Sequence, residues 1–472
     1  VAAVAFQSVT KSYGGLRALD EVTFSAERGE VHAVLGENGA GKSTLMNTLS
    51  GSVLPDSGTV LLDGESLPLG DPAQCRGRGV QCVHQHFMLV PAFTVAENLA
   101  LGRLGRLAAP HSTAGPVSQA CATAERLGWT LPYDALASSL SVGEQQRVEI
   151  VRALVGGGSV LILDEPTAVL TPEEADELLR LVRRLADEGM AVLLVTHKLA
   201  ETFQAADRAT VLRRGRYVAT FETAKTTPDE VARAMVGGEV PQVRRAAVGA
   251  GKVALRARGL EVRSDRGHLA VKGVDFEVAS GEVLGVGGVD GNGQLELAEA
   301  AAGVRPPAGG TLEGTDGPVA YVPQDRGTDG IVASMSVAEN LLLGQPKADW
   351  TQWGLLRTRR LRDWSRGLVG RFDVRPPDPG ARAGSLSGGN QQKVVLARNL
   401  HHTPRLLVAA NPTRGLDIRA TAFVHSAIAQ AAADGAAVLL VSTDLDELEA
   451  LAHRTVFLES GRLVDRLVGG AG

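Results

Sequence analysis

The chain has 472 residues, 44% of them apolar and 21% charged, which is enough for two to four domains with their own cores and unlike a disordered segment. Lys and Arg number 48 against 53 Asp and Glu, a net charge of -5, which argues against a dedicated nucleic-acid binder. The sparse cysteines, Cys75, Cys82 and Cys121, form neither a metal spacing nor a disulfide framework and suit a reducing compartment. No run approaches the roughly 18 apolar residues of a spanning helix. Val1–Val9 lacks the pattern of a signal peptide, so any membrane contact is expected through partners.

In chain order, Val31–Leu35 reads as a strand that enters Gly36-Glu-Asn-Gly-Ala-Gly-Lys-Ser-Thr44, and Leu45, Thr48 and Leu49 at helical spacing mark a helix that leaves it. Gly36, Gly39 and Gly41, with Glu37, Asn38 and Ala40 between them, let backbone N–H groups turn inward around phosphate oxygens. The helix N-terminus adds positive dipole. Lys42 can reach the β- and γ-phosphates, the Ser43 hydroxyl can ligand Mg²⁺, and Thr44 completes the motif. A glycine-rich turn before a helix is the structural alternative, and the Lys-Ser pair argues against it.

Cys82 reads as a buried small apolar residue, and His84 and His86 lack a third metal ligand nearby. The apolar stretch Phe87–Val90 suits either a groove for a partner's helix or packing within a helical insertion. Residues 105–118 and, later, 371–384 are rich in Gly, Pro, Ala and Arg and are expected to be loops. Val160–Leu163 forms a buried parallel strand. Asp164 at its end can hold Mg²⁺ through water, and Glu165 can polarise the attacking water or merely cap the next helix. The strand Ala191–Val195 ends in Thr196-His197, where an imidazole could bridge phosphate, water and Glu165, a lone strand-end His being otherwise structural.

The pattern then repeats. Ala270–Val274 and the loop at Gly288 stand 252 residues beyond Ala18–Val22 and Gly36, and Leu386-Ser-Gly-Gly-Asn-Gln-Gln-Lys393 answers Leu140-Ser-Val-Gly-Glu-Gln-Gln-Arg147. A period this long is a domain duplication. It implies domains at 1–237 and 253–472 joined by a linker at 238–252, each an α/β fold on a mainly parallel sheet with a helical insertion.

The two Leu-Ser-x-Gly segments, with the phosphate loop, Gln85 and the acidic strand, resemble the ABC ATPase family over nearly the whole chain. The resemblance implies ATP and Mg²⁺ as ligands, each nucleotide being sandwiched between one half's phosphate loop and the other half's signature. One site then draws on Tyr13 for adenine stacking, on the loop, on Gln85, Asp164, Glu165 and His197, and on Ser387, Gly388, Gly389 and Asp417. Ser387 could alternatively be an ordinary helix cap. The other site carries Gln294 for the lysine, Leu295 for the hydroxyl, Ala410-Asn411 for the acidic pair and Thr443 for the histidine. It also has Val142 for a signature glycine, Thr171 opposite Asp417, and Asp265 opposite Tyr13. All departures fall on one side, which implies one working site and one degenerate site.

Among such ATPases, His84-Gln-His-Phe-Met-Leu-Val-Pro91 and Gly288-Val-Asp-Gly-Asn-Gly-Gln294 look like the nucleoside-uptake branch. Asn411–Asp417 is shared with ribose and galactose importers, and Gln324 stands where those usually have an acidic residue. That branch implies two integral-membrane permeases, an extracytoplasmic solute-binding lipoprotein, and a peripheral place on the cytoplasmic face of the plasma membrane. The alternatives are a sugar importer and a soluble tandem ATPase acting on ribosomes or DNA. The latter usually resembles two intact sites with a long charged linker or zinc cysteines.

Overall fold

The structure, a computed structural model, describes residues 2–85, 87–101, 114–167, 170, 172–238, 251–289, 291–314, 319–346, 350–352 and 355–464. His86, Thr171, Asp290, residues 105–113 of the first expected loop and residues 239–250 of the expected linker lie outside these described residues. The chain divides into two compact units, Val1–Val240 and Pro241–Gly472.

The first unit contains β1 (Ala2–Tyr13), β2 (Leu16–Glu27), β3 (Val31–Leu35), β4 (Ser57–Leu62), β5 (Glu65–Ser66), β6 (Val80–Val83), β7 (Val160–Asp164), β8 (Ala191–Thr196), β9 (Arg208–Arg213) and β10 (Arg216–Glu222). An antiparallel sheet runs β2-β1-β4-β5, and a second sheet runs β10-β9-β3-β8-β7-β6, parallel except at β10. The central strands are short runs of Val, Leu and Ile, and in β3 and β8 every residue is buried, as expected where both faces of a parallel sheet are covered.

The second unit repeats this order. β11 (Val253–Arg263), β12 (Leu269–Ala279) and β14 (Gly309–Glu313) form one sheet. β13 (Val283–Gly287), β15 (Val319–Val322), β18 (Leu406–Ala410), β19 (Ala437–Val441), β20 (Arg454–Glu459) and β21 (Arg462–Val464) form the other, in the order β15-β18-β19-β13-β20-β21. A two-stranded hairpin, β16 (Thr351–Gln352) with β17 (Leu355–Leu356), has no partner of its kind among the described residues of the first unit.

One expectation fails at its edge. Residues 114–118 are helical, opening the helix Ala114–Leu127. Pro116 falls in the first turn, where a missing N–H costs nothing. Beyond Arg371, which still ends a helix, residues 372–382 are irregular, and Ala383–Ser385 forms one 3-10 turn.

Register brings the candidate residues together. Leu35 of β3 pairs with Thr196 of β8, Val195 pairs with Asp164 of β7, and Leu163 pairs with Val83 of β6. The phosphate loop, the acidic pair, His197 and Gln85 therefore all emerge from the carboxyl ends of adjacent parallel strands, where ligands of open α/β sheets bind.

The opposite end of β3 is pinned by Glu30, which is 6% exposed. It accepts hydrogen bonds from Arg208 (2.7 and 2.8 Å) and from the Glu27 N–H (2.6 Å), and it lies 2.8 Å from His32 Nδ1. Glu282 does the same work in the second unit, with Arg454 at 3.0 Å and the Ala279 N–H at 2.8 Å. Burial alone would raise the Glu30 pKa, but its bonds to His32 and Arg208 outweigh that and hold it at about 2. Removing the carboxylate strands the buried His32 and the half-buried Arg208, so Glu30→Ala should destabilise the protein to urea by about 2–4 kcal/mol at neutral pH. Because the folded pKa is depressed, the wild-type advantage should be complete above 4.5 and fade as pH falls toward 2. An advantage that does not change with pH would contradict this.

Candidate functional site

The phosphate loop is built by close approach. Gly41 (φ 103°) sits at the N-cap of the helix Lys42–Leu49, and a Cβ there would lie 2.4 Å from the Ala18 carbonyl of β2, so only glycine lets the turn seat against the sheet. The loop closes through the Ala40 N–H to the Glu37 carbonyl (3.0 Å), and no side chain among the described residues caps the helix. Lys42, only 6% exposed, curls over the loop and donates to the carbonyls of Gly36 (2.7 Å) and Glu37 (3.3 Å). Asn38, Gly39 and Ser43 are exposed, and Thr44 is half-buried.

Beside it, Asp164 and Glu165 close β7. Glu165 takes φ 46°, a left-handed conformation that costs a non-glycine residue, and its N–H is held by the Val195 carbonyl at 2.9 Å. Its carboxylate accepts from Gln85 Nε2 at 3.1 Å and lies 3.2 Å from His197 Nδ1. Two side chains from neighbouring strand ends therefore meet on the carboxylate at a third. The His197 contact is the main reason the Glu165 carboxyl is held below the usual range, with Lys42 and Lys198 adding to it. Asp164 shifts the other way: burial raises it first, the neighbouring Glu165 charge adds, and Lys42 opposes.

The second unit keeps the scaffold and removes the charge. Gln294 replaces Lys42 and lies within its own loop, donating to the Val289 carbonyl (2.8 Å) and accepting the Asn292 N–H (3.1 Å). That N–H is of the kind a phosphate would otherwise take. Asn411 repeats the positive φ at 42°, with its N–H on the Val441 carbonyl at 2.7 Å. Its amide donates to Gln324 (2.9 Å) and accepts from the Thr443 N–H (2.9 Å). This is the same three-way junction, now neutral. Asp265, opposite Tyr13 in sequence, is engaged with Arg305 at 2.8 Å.

The signature segments also differ. Ser141 caps the helix Val142–Val155 in a full capping box with Glu144, and Val142 at its tip is exposed. Ser387 opens the helix Gly388–Leu400 without capping it, and its Oγ instead accepts from Asn390 (2.9 Å). The capping reading therefore holds for Ser141 and not for Ser387, which leaves the tip at Gly388 and Gly389 able to meet an anion. Asp417 is a cap, accepting the Ala420 N–H at 2.8 Å. Tyr13 is 48% exposed at the end of β1, with the Lys11 ammonium 5.5 Å from its ring centre.

Two groups escaped the sequence reading. Glu201, 7% exposed, binds the hydroxyls of Thr167 and Thr196 (the latter at 3.0 Å) and so ties the segment after Glu165 to the end of β8. Glu447 stands 246 residues further on, the offset that relates Leu386 to Leu140, a signal that aligning the halves would have given. Arg326 lies against Gly388, where a Cβ would come within 2.5 Å of its guanidinium, and donates to the Arg414 carbonyl at 2.7 Å. No local motif announces it.

A glycine cradle feeding a helix, beside a parallel strand that ends in Asp164-Glu165 in the first unit and in Ala410-Asn411 in the second, gives each unit the fold of a P-loop ATPase domain, charged in the first and neutral in the second. The ABC transporter profile matches residues 19–168 and 271–414, more than half of the chain. The chain belongs to this family and is an ATP-binding, ATP-hydrolysing subunit. It is 41% identical over 470 residues to the nucleoside import ATP-binding protein NupA of Lactococcus lactis subsp. cremoris, covering 96% of this chain and 93% of that protein. It is 40% identical over 476 residues to the guanosine import ATP-binding protein NupO of Bacillus subtilis (97% and 92%). To the ribose import ATP-binding protein RbsA 2 of Rhizobium etli it is 38% identical over 475 residues (97% and 93%).

The raised Asp164 carboxyl carries a stability consequence. Its ionised form is disfavoured in the fold, a penalty fully present above the folded pKa and relieved as pH falls through it. Asp164→Asn should therefore raise the melting temperature of the nucleotide-free protein at pH 7 while eliminating turnover. The gain should shrink as pH falls through the raised folded value and be gone below the ordinary carboxylate range. Differential scanning calorimetry at several pH values checks this, and a variant less stable than wild type at pH 7 would contradict it.

Proposed function

We propose that the chain hydrolyses ATP at the first unit's phosphate loop and thereby energises import of a nucleoside through two integral-membrane permeases served by an extracytoplasmic solute-binding lipoprotein. The observation that carries the catalytic part is the junction of Gln85 and His197 on Glu165, beside Asp164 and Lys42, set against its neutral copy at Gln324, Asn411 and Thr443. Adenine would stack on Tyr13, and the loop amides and Lys42 would hold the phosphates. Glu165, kept ionised, would take the proton of the attacking water as its oxygen bonds to the γ-phosphorus and the bridge to the β-phosphate breaks. His197 and Gln85 would orient that carboxylate. By the family resemblance, Ser387, Gly388, Gly389 and Asp417 would also contact nucleotide.

Mg²⁺ fits the donors present. A hydroxyl (Ser43), a carboxylate (Asp164) and an amide oxygen (Gln85, whose NH₂ group is what binds Glu165) form an all-oxygen set, and two adjoining carboxylates call for positive charge. When bound it offsets charge on the phosphates. Apolar Met88 and Val90 are exposed and Phe87 and Leu89 half-buried, which favours a partner-facing role for this stretch. No helix among the described residues is long and apolar enough to cross a membrane, in keeping with a peripheral place on the cytoplasmic face. The nucleoside assignment rests on the names of NupA and NupO, and the similarity to RbsA 2 keeps a simple sugar as the second reading.

Lys42→Ala and Glu165→Gln should each lower phosphate release by at least about a hundredfold, whereas Gln294→Ala should leave it nearly unchanged. Equal losses in all three would refute the asymmetry. Uptake of labelled guanosine or ribose, measured in cells carrying or lacking the gene, separates the two solutes.

A further inference from the structure

The segment that follows Gln85 is held by an ion pair on the signature helix. Glu149, 2% exposed, accepts the Met88 N–H at 2.7 Å, and Arg152 donates to the Met88 carbonyl at 3.0 Å. Arg152 also pairs with Glu149 across one helical turn. Both backbone groups of one exposed residue, three positions after Gln85, are thus gripped by a buried carboxylate and its half-buried Arg partner. Asn98 fixes the next turn, accepting the Val90 N–H (2.7 Å) and donating to the Val90 carbonyl (3.1 Å). Burying a carboxylate is costly, and burial does raise the Glu149 pKa against the opposing Arg152 charge. Packing alone would be better served by an apolar residue, so the pair points to a requirement for position.

The second unit supplies the control. Arg398 still donates to the Gly330 carbonyl at 2.7 Å, and Asn340 still binds both backbone groups of Val332. Val395 stands in place of Glu149, and the preceding backbone forms a helical turn of its own, Arg326–Gly330. The carboxylate is present only in the unit whose glutamine holds a carboxylate.

We propose that Glu149, with Arg152, is a positioning residue that sets Gln85 on Glu165 by clamping the Met88 backbone to the signature helix. This rests on the reading of Glu165 as the catalytic base. A force on the exposed Met88 segment would then reach the γ-phosphate side of the site through Gln85 rather than through the sheet.

The test uses the full-length chain. Glu149→Val should lower kcat for ATP by about tenfold while leaving KM within about twofold, and Glu149→Gln, which keeps an oxygen for the Met88 N–H, should recover most of the loss. In a Gln85→Ala background, adding Glu149→Val should change kcat by less than about twofold, because residues acting as a unit are not additive. Independently of turnover, amide exchange across residues 84–90 should accelerate by at least about tenfold in Glu149→Val. Additive losses in the double variant, or unchanged exchange at 84–90, would overturn the proposal. Faster exchange in a protein whose wild type hydrolyses no ATP would sustain the clamp and sink the ATPase assignment instead.

Discussion

Two carboxylates side by side at the end of a buried strand, facing one buried ammonium, set the terms for the first unit. Asp164 and Glu165 are adjacent in sequence, and the left-handed backbone at Glu165 keeps them both at the strand end. Burial and mutual repulsion push the Asp164 carboxyl up, while His197 holds Glu165 down, so the pair splits into one strained anion and one settled anion. Two adjacent carboxylates are thereby given opposite electrostatic settings by their surroundings. The surrounding strands are short and apolar because they have only to hold these ends in register.

The second unit shows what the same fold does once that strain is gone. Asn411 keeps the positive φ and the hydrogen bond to the adjacent strand, so the junction is structural as well as chemical. With an amide in place of the carboxylate, Gln324 and Thr443 satisfy it completely without charge. Gln294 fills its own loop, giving the loop amide an internal acceptor. Each substitution replaces a charged group by a neutral one that pairs within its own unit.

Much of this was legible beforehand. The strand–loop–helix around Lys42, the acidic end of β7 and the duplication at an offset of 252 follow from local chemistry and period, and the structure has β3 at Val31–Leu35 as read. The convergence of Gln85, Glu165 and His197 was not derivable from spacing, since it depends on β6, β7, β8 and β3 being neighbours in an order that differs from the chain order. The Glu149 and Arg326 contacts were invisible for a related reason. Both are long-range pairings of a helix with a loop, and a buried Glu looks in sequence like any polar position on an amphipathic helix. The helix start at Ala114 was hidden by composition, because Gly and Pro read as loop unless their place within the first turn is known.

The two signature helices carry the asymmetry in the opposite sense. The first unit has a glycine at its loop helix's N-cap, yet closes its signature tip, with Ser141 spent on Glu144 in a capping box and Val142 in the glycine position. The second unit closes its loop with Gln294 and leaves its signature tip open. Asn390 replaces the capping carboxylate and turns toward the Ser387 hydroxyl, and Arg326 lies against Gly388. Loss of function in a duplicated domain would be expected to erode both anion-binding helix ends of one unit alike. Here each unit retains one open helix end and has capped or filled the other with its own side chains. The two units therefore differ in which helix end their own side chains fill, the signature tip in the first and the phosphate loop in the second.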